Sequence, residues 1–373
     1  VRLSGLADTY ISLAEKLKIP FVTSRNANDI AEWNHPLNIG RPGTFAQRGA
    51  NFVVQNADLY IAIGTRLCLS QTGYNSQDYA RNAKKVMIDI DPAELNKSTL
   101  NIDIKICSDV RNLVDFFQSV SAESIDSNWV HFCQNLRDRY PVCTEEVKSE
   151  KGLINSYNLI DRMSDIVSSK DIIVSDMGFA YQNLHQALRN KKDLIFFTNG
   201  GLASMGWGLP AAIGAAFAKT SKGQVICLAG DGGLQMNIQE LATIFHYRLP
   251  IKVIVFNNGG YLTIKQTQEL GFDGRIMGCN KDSGLSFPDF TKLAEAYQLP
   301  THKLEDQSCL ESELQSFLEK PGPGFCEAMM DPDQLQGPKA INKRLPGGKM
   351  VATTFEDMFP FLPESEVSSN LLV

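Results

Sequence analysis

Two short clusters, Gly230-Asp231-Gly232-Gly233 and Asn257-Asn258-Gly259-Gly260, bring together a carboxylate, two side-chain amides and five glycines. The first follows the apolar run Val225-Ile226-Cys227-Leu228-Ala229, which reads as a buried parallel strand. It precedes apolar residues at Ile238, Leu241, Ala242 and Phe245, spaced as one face of a helix. A glycine-rich turn from strand to helix aims backbone N–H groups and a positive dipole end at an anion. The second cluster ends the apolar run Ile251-Lys252-Val253-Ile254-Val255-Phe256, so a neighbouring strand delivers Asn257 and Asn258 to the same rim of the sheet. Mg²⁺ takes near-octahedral oxygen coordination from one or two carboxylates, phosphate oxygens and water. Asp231, Asn258 and the carbonyl of Gly260 meet that need, and the spacing predicts a magnesium-diphosphate site. The bland alternatives are structural glycines in an ordinary turn and an Asp231 that merely caps the next helix.

These clusters need a parallel sheet to hold them, and the surrounding chain supplies one. Residues 155–335 alternate helix and strand signals: a helix from Asn155 to Val167, strands Asp171–Asp176 and Leu194–Asn199, the two motif strands, helices over Pro288–Tyr297 and Cys309–Leu318, and a strand over Phe325–Met330. Residues 1–120 show a second α/β pattern, with an amphipathic Leu6–Leu17 and strands at Phe21–Ser24, Leu59–Gly64 and Lys85–Asp91, the last stopped by Pro92. The expected fold is α/β, with two Rossmann-like parallel-sheet domains. Between them, 121–154 reads as a linker carrying one helix, opened by Ser121, Glu123, Ser124 and Asp126 and running over Trp129–Arg139. Residues 336–373 read as a tail rich in Pro, Gly and Lys. Its segment Pro338–Leu362, with Lys343, Arg344 and Lys349, is expected either as a lid over the site or as a solvated surface tail.

Composition narrows the function classes. At 373 residues, 43% hydrophobic and 21% charged, the chain is globular and large enough for two or three domains. A net charge of −6 offers no basic field for nucleic acid. The eight cysteines include no Cys-x-x-Cys pair and the five histidines are dispersed, so neither a disulfide framework nor a zinc site is expected; free thiols suit a reducing, cytoplasmic setting. The uncharged stretch Leu202–Ala218 is rich in Gly and Ala and broken by Pro210, which suits a buried helix better than a membrane span. A nicotinamide site in the first domain lacks its Gly-x-Gly-x-x-Gly, which leaves Asp89 and Asp91 as turn residues at a sheet end. The chain begins at Val1, which reads as an internal point of a longer protein.

The wording around the clusters resembles the thiamine diphosphate (ThDP) enzymes of the acetolactate synthase-like branch. The resemblance rests on the paired Gly-Asp-Gly and Asn-Asn elements, on Asn237–Thr243, and on Gly201-Leu202-Ala203-Ser204-Met205-Gly206-Trp207-Gly208 with the helix after it. In the first domain it rests on Ile39-Gly40-Arg41-Pro42-Gly43, Gln55–Asp58 and Asp89–Leu95. It covers essentially the whole chain, as a central domain followed by a diphosphate-binding domain. It implies ThDP and Mg²⁺ as cofactors, with Gly178, Ala203, Met205, Gly230, Asp231, Gly232, Gly233, Asn258, Gly260 and Tyr261 around ThDP. Asp231, Asn258 and Gly260 would hold the metal. Met205 would be the apolar wedge that keeps the cofactor bent, and the backbone of Ala203 would accept a hydrogen bond from its amino group.

The resemblance also implies what should lie outside these residues. No catalytic residue is expected within the chain, because the activating glutamate belongs to a pyrimidine-binding domain ahead of the central one. The site would form with that domain from a neighbouring subunit, in a homodimer or homotetramer. The substrate would be a small 2-oxoacid such as pyruvate, decarboxylated and then ligated; simple decarboxylation and a noncatalytic or split subunit are the alternatives. FAD occupies the central domain of true acetolactate synthases and is absent from many relatives. Two departures stand out. Phe179-Ala180 replace the Gln-His that commonly follows the glycine at Gly178, and Tyr261–Gln268 resembles relatives from surface-sugar biosynthesis, with Tyr261, Ile264 and Gln268 expected on the substrate side.

Overall fold

A computed structural model of the chain describes residues 1–120, 126–344 and 350–372. The chain divides into two compact units, 1–142 with 337–373, and 143–336. In the first, β1 (Phe21–Val22) pairs with β2 (Asn38–Gly40), and a parallel three-stranded sheet runs in the order β3 (Leu59–Ile63), β4 (Lys84–Asp89), β5 (Ile104–Cys107). The second holds a fully parallel sheet of β6 (Ile172–Ser175), β7 (Ile195–Thr198), β8 (Val225–Gly230), β9 (Ile251–Asn257), β10 (Thr301–Leu304) and β11 (Gly324–Met329). Its order is β10-β11-β9-β8-β6-β7. The central β8 and β9 are buried along almost their whole length, as expected for parallel strands covered on both faces, whose sequence is continuous apolar rather than alternating.

That strand order creates a switch point. From β6 the chain moves outward to β7; from β8 it moves the other way, to β9. Loops leaving the carboxyl ends of β6 and β8 therefore part, and an open α/β sheet leaves a ligand crevice there. The loops concerned carry Asp176–Gly178 and Gly230–Asp231.

Several expectations change. The helix Ser127–Arg139 is no linker element: it packs on the helix Arg48–Asn56 inside the first unit, burying Cys133 and Leu136. Gly49 makes the approach possible, because a Cβ there would overlap the main chain at Leu136. Asp126 caps this helix by accepting from Asn128 N at 2.9 Å; Ser121, Glu123 and Ser124 lie outside the described residues. The charged stretch after it forms the helix Glu145–Ser149 in the second unit.

Among its described residues the tail is not a solvated surface stretch of chain. It folds into the first unit, where Phe355 and Met358 are buried, Arg81 pairs with Glu356 at 2.8 Å, and Arg48 donates to the carbonyl of Pro360 at 2.6 Å. Lys343 and Arg344 fall in β12 (Asn342–Arg344), antiparallel to β13 (Met350–Ala352), and Lys349 is outside the described residues. The helical face expected after the first motif also shifts. The helix Asp231–Gln235 ends, a 3₁₀ turn covers Ile238–Glu240, and the next helix, Leu241–Tyr247, buries Leu241 and Ile244 while Ala242 and Phe245 are exposed.

Candidate active site: a buried carboxylate at the switch of a parallel sheet

Asp231 sits at the carboxyl end of β8, 2% exposed. Its carboxylate gathers main-chain donors from two strands: Oδ1 accepts from Gly232 N at 2.7 Å, and Oδ2 accepts from Asn258 N at 3.2 Å and Gly260 N at 3.0 Å. The register that sets Gly230 beside Phe256 brings the β9 turn within reach. Asn258 Oδ1 accepts a second, longer bond from Gly260 N at 3.3 Å. The N–H groups of Gly232, Asn258 and Gly260 thus bond Asp231, where sequence spacing alone aimed such groups at an anion. They fix the carboxylate instead.

The glycines divide into two kinds. A Cβ at Gly232 would overlap the Tyr261 ring, one at Gly233 the Asp176 carboxylate, and one at Gly260 the carbonyl of Cys279, so these three serve close packing within the site. Gly178 and Gly230 differ: a Cβ at either would meet nothing within 4 Å. They leave open room at the ends of the adjacent strands β6 and β8, and Gly178 takes φ +82°, a conformation that favours glycine. Phe179 and Ala180, the departure noted after Gly178, are both buried in the helix Phe179–Ala187 and present no polar side chain at its start.

Ala203 and Met205 lie in the loop between β7 and the helix Gly208–Ala218. Ala203 takes φ +55°, and Met205 is 36% exposed. Gly206 holds the loop at two points. Its N–H donates to Asp176 Oδ2 at 3.0 Å and its carbonyl accepts from Asn237 Nδ2 at 2.7 Å. Asp176 is the residue that sequence reasoning passed over as a strand end. It is 1% exposed, also accepts from Gly208 N at 3.4 Å, and backs onto Gly233, so one carboxylate ties the Met205 loop to the Asp231 turn. An aspartate closing an apolar strand two residues before Gly178 was the available signal. Tyr261 covers Gly232 and meets Phe287 edge-on at 6.1 Å. Gln268 clasps the loop after its helix, accepting from Met277 N at 2.8 Å. Ile264 is 44% exposed.

Burial pushes the Asp231 carboxyl up to about 7, the backbone donors offsetting only part of the cost; Asp176 is raised for the same reason. A cation beside Asp231 would remove that penalty. Among the described residues no three His, Cys, Asp or Glu side chains gather as a metal-binding group. A donor set read here would be one carboxylate, an amide oxygen and main-chain carbonyls. That suits Mg²⁺ shared with phosphate oxygens, and is too poor in nitrogen and sulfur for zinc.

Comparison with known proteins agrees with this chemistry. Residues 1–117 match the thiamine pyrophosphate enzyme central domain, and residues 176–328 the thiamine pyrophosphate enzyme C-terminal TPP binding domain. A probable acetolactate synthase large subunit from Methanococcus aeolicus is 31% identical over 366 residues, covering 94% of this chain and 59% of the relative. The acetolactate synthase isozyme 1 large subunit of Escherichia coli (strain K12) is 30% identical over 339 residues, covering 90% of this chain and 59% of the relative. The chain thus spans about three fifths of the length of these curated relatives. Among the described residues no helix is long and apolar enough to cross a membrane. With its two domain matches in order, the chain belongs to the thiamine pyrophosphate enzymes and carries their central and C-terminal TPP binding domains.

Proposed function

We propose that the chain is the carboxyl-terminal part of a ThDP- and Mg²⁺-dependent, acetolactate synthase-like enzyme that decarboxylates a 2-oxoacid such as pyruvate and ligates the remaining fragment to a second carbonyl compound. The observation that carries this is the convergence of Asp231, Asn258 and Gly260 beside open room at Gly178 and Gly230. ThDP supplies the electron sink for cleaving a 2-oxoacid. The chain's own residues bind and orient it. Asp231 and Asn258 with the Gly260 carbonyl would hold Mg²⁺ against the diphosphate, and Met205, on a loop fixed by Asp176 and Asn237, would support the thiazolium ring from its apolar side. With Phe179 and Ala180 buried, the diphosphate would lean on the metal and the β8 turn.

The glutamate that activates the cofactor would come from a pyrimidine-binding domain of a neighbouring subunit, in a homodimer or homotetramer working in the cytoplasm. The test is an assay of the full-length protein with pyruvate, ThDP and Mg²⁺. Carbon dioxide release with acetolactate as product is expected, and both should stop when EDTA is added. Release of acetaldehyde without ligation would replace the carboligase reading with a simple decarboxylase. No turnover of any 2-oxoacid, with ThDP bound, would make the protein a noncatalytic subunit.

A further inference from the structure

We infer that Glu327, on β11, is a positioning residue for the metal-binding turn: it acts through Asn257 and sets the affinity for Mg²⁺ with ThDP. The inference rests on the site reading above and adds to it a residue from outside both motifs. Glu327 is 4% exposed and lies one strand away from the turn. Its two oxygens are both engaged by neutral donors: Oε1 accepts from Asn257 Nδ2 at 2.6 Å and Oε2 accepts from Thr291 Oγ1 at 2.6 Å. The other end of the Asn257 amide, Oδ1, accepts from Gly259 N at 3.0 Å.

A side-chain amide has a donor end and an acceptor end, and either can face a given neighbour if both neighbours are adaptable. Here they are not. The Gly259 backbone N–H can only donate, and the Glu327 carboxyl oxygens accept from Asn257 and Thr291, so Oδ1 faces Gly259 and the Nδ2 end is held by Glu327. Gly259 takes φ +73°, and the residues on either side of it, Asn258 and Gly260, donate their N–H groups to Asp231. The chain of contacts Thr291–Glu327–Asn257–Gly259 therefore fixes the conformation of the turn that carries two of the three metal-binding groups. Groups that orient metal ligands without touching the metal typically govern its affinity.

The experiment is calorimetric titration of ThDP into the full-length protein at a series of Mg²⁺ concentrations. Glu327→Ala is expected to raise the Mg²⁺ concentration for half-maximal ThDP binding by about 10- to 100-fold, with KM for the 2-oxoacid at saturating cofactors unchanged. Glu327→Gln keeps both contacts, because the threonine hydroxyl can accept as well as donate, and is expected to titrate like the unaltered protein. A folded Glu327→Ala that binds Mg²⁺ and ThDP normally overturns the inference, as does a Gln variant as weak as Ala. If the alanine variant does not fold, Thr291→Val decides: a smaller loss in the same Mg²⁺ dependence supports the inference and no change overturns it. Asp231→Asn is run alongside. Were that variant to bind normally, the site reading itself would fail; loss there with an unaffected Glu327→Ala sinks only the role of Glu327.

Discussion

Both units end parallel strands in aspartate, and the two ends behave differently. At the end of β4, Asp89 Oδ1 accepts from Asp91 N at 3.0 Å, and Asp91, itself exposed, caps the helix Pro92–Leu95 by accepting from Ala93 N at 2.8 Å. Every one of these bonds spans two residues. At the ends of β6 and β8, Asp176 and Asp231 are buried and collect amides from loops 27 to 32 residues away. A carboxylate bonded locally finishes a turn. A carboxylate that gathers distant loops organises a crevice, and burying it is unfavourable unless a ligand or a cation makes use of it.

The largest separation between the two ends should come from removing Asp231. Asp231→Ala takes away the one carboxylate of the metal set, and Mg²⁺-dependent ThDP binding should fall below detection in calorimetry. Normal affinity would place the metal elsewhere. The pH dependence sharpens the same point. Because burial lifts the folded carboxyl to about 7, above its unfolded range, this group makes the ligand-free protein less stable as pH rises from about 4 towards 7. Metal binding needs the ionised form, so Mg²⁺ affinity should run the other way and weaken about tenfold per pH unit below 7. An affinity flat between pH 5 and 7 would contradict the assignment of Asp231 as the titrating ligand. Next in size is Asp176→Ala, which strands the N–H groups of Gly206 and Gly208. At about 1–3 kcal/mol for each of the two buried groups left unbonded, a loss of roughly 2–6 kcal/mol is expected in urea unfolding.

What could be read from sequence follows the range of the contacts. Asp231, Asn258 and Gly260 belong to adjacent parallel strands joined by one short crossover, so two apolar runs and their terminal residues were enough to bring them together. Asp176 was legible only as an aspartate closing an apolar strand, because the partners that give it its role stand thirty residues on, beyond an intervening strand. Glu327 was less so, since its link to Asn257 spans 70 residues. The edge strand β10, Thr301-His302-Lys303-Leu304, is too short and polar for a clear period, whereas β5, also an edge strand, was missed although Ile102, Ile104 and Ile106 alternate with Asp103 and Lys105. The 3₁₀ turn at Ile238–Glu240 shifts helical phase, so the face that follows buries Ile244 in place of Ala242 and Phe245. Phe355 and Met358 lie in a tail with no periodicity to mark them as core, and their burial follows from partners in the first unit such as Tyr79, 5.1 Å from Phe355 between ring centroids.

The two smallest effects test whether the contrast lies in packing or merely in charge. Gly232→Ala places a methyl group into the Tyr261 ring, and overpacking of this kind costs about 1–3 kcal/mol. Tyr261→Ala in the same chain should recover part of that stability, because it removes the obstructing ring; if it does not, the glycine answers to the backbone and not to Tyr261. Asp91→Ala removes only a helix cap and should cost about 1 kcal/mol. It should leave ThDP and Mg²⁺ titrations untouched, since its carboxylate holds a donor two residues away. A loss of cofactor affinity in that variant would mean that the strand ends of the two units are not independent, and locality of bonding would no longer separate a turn from a site.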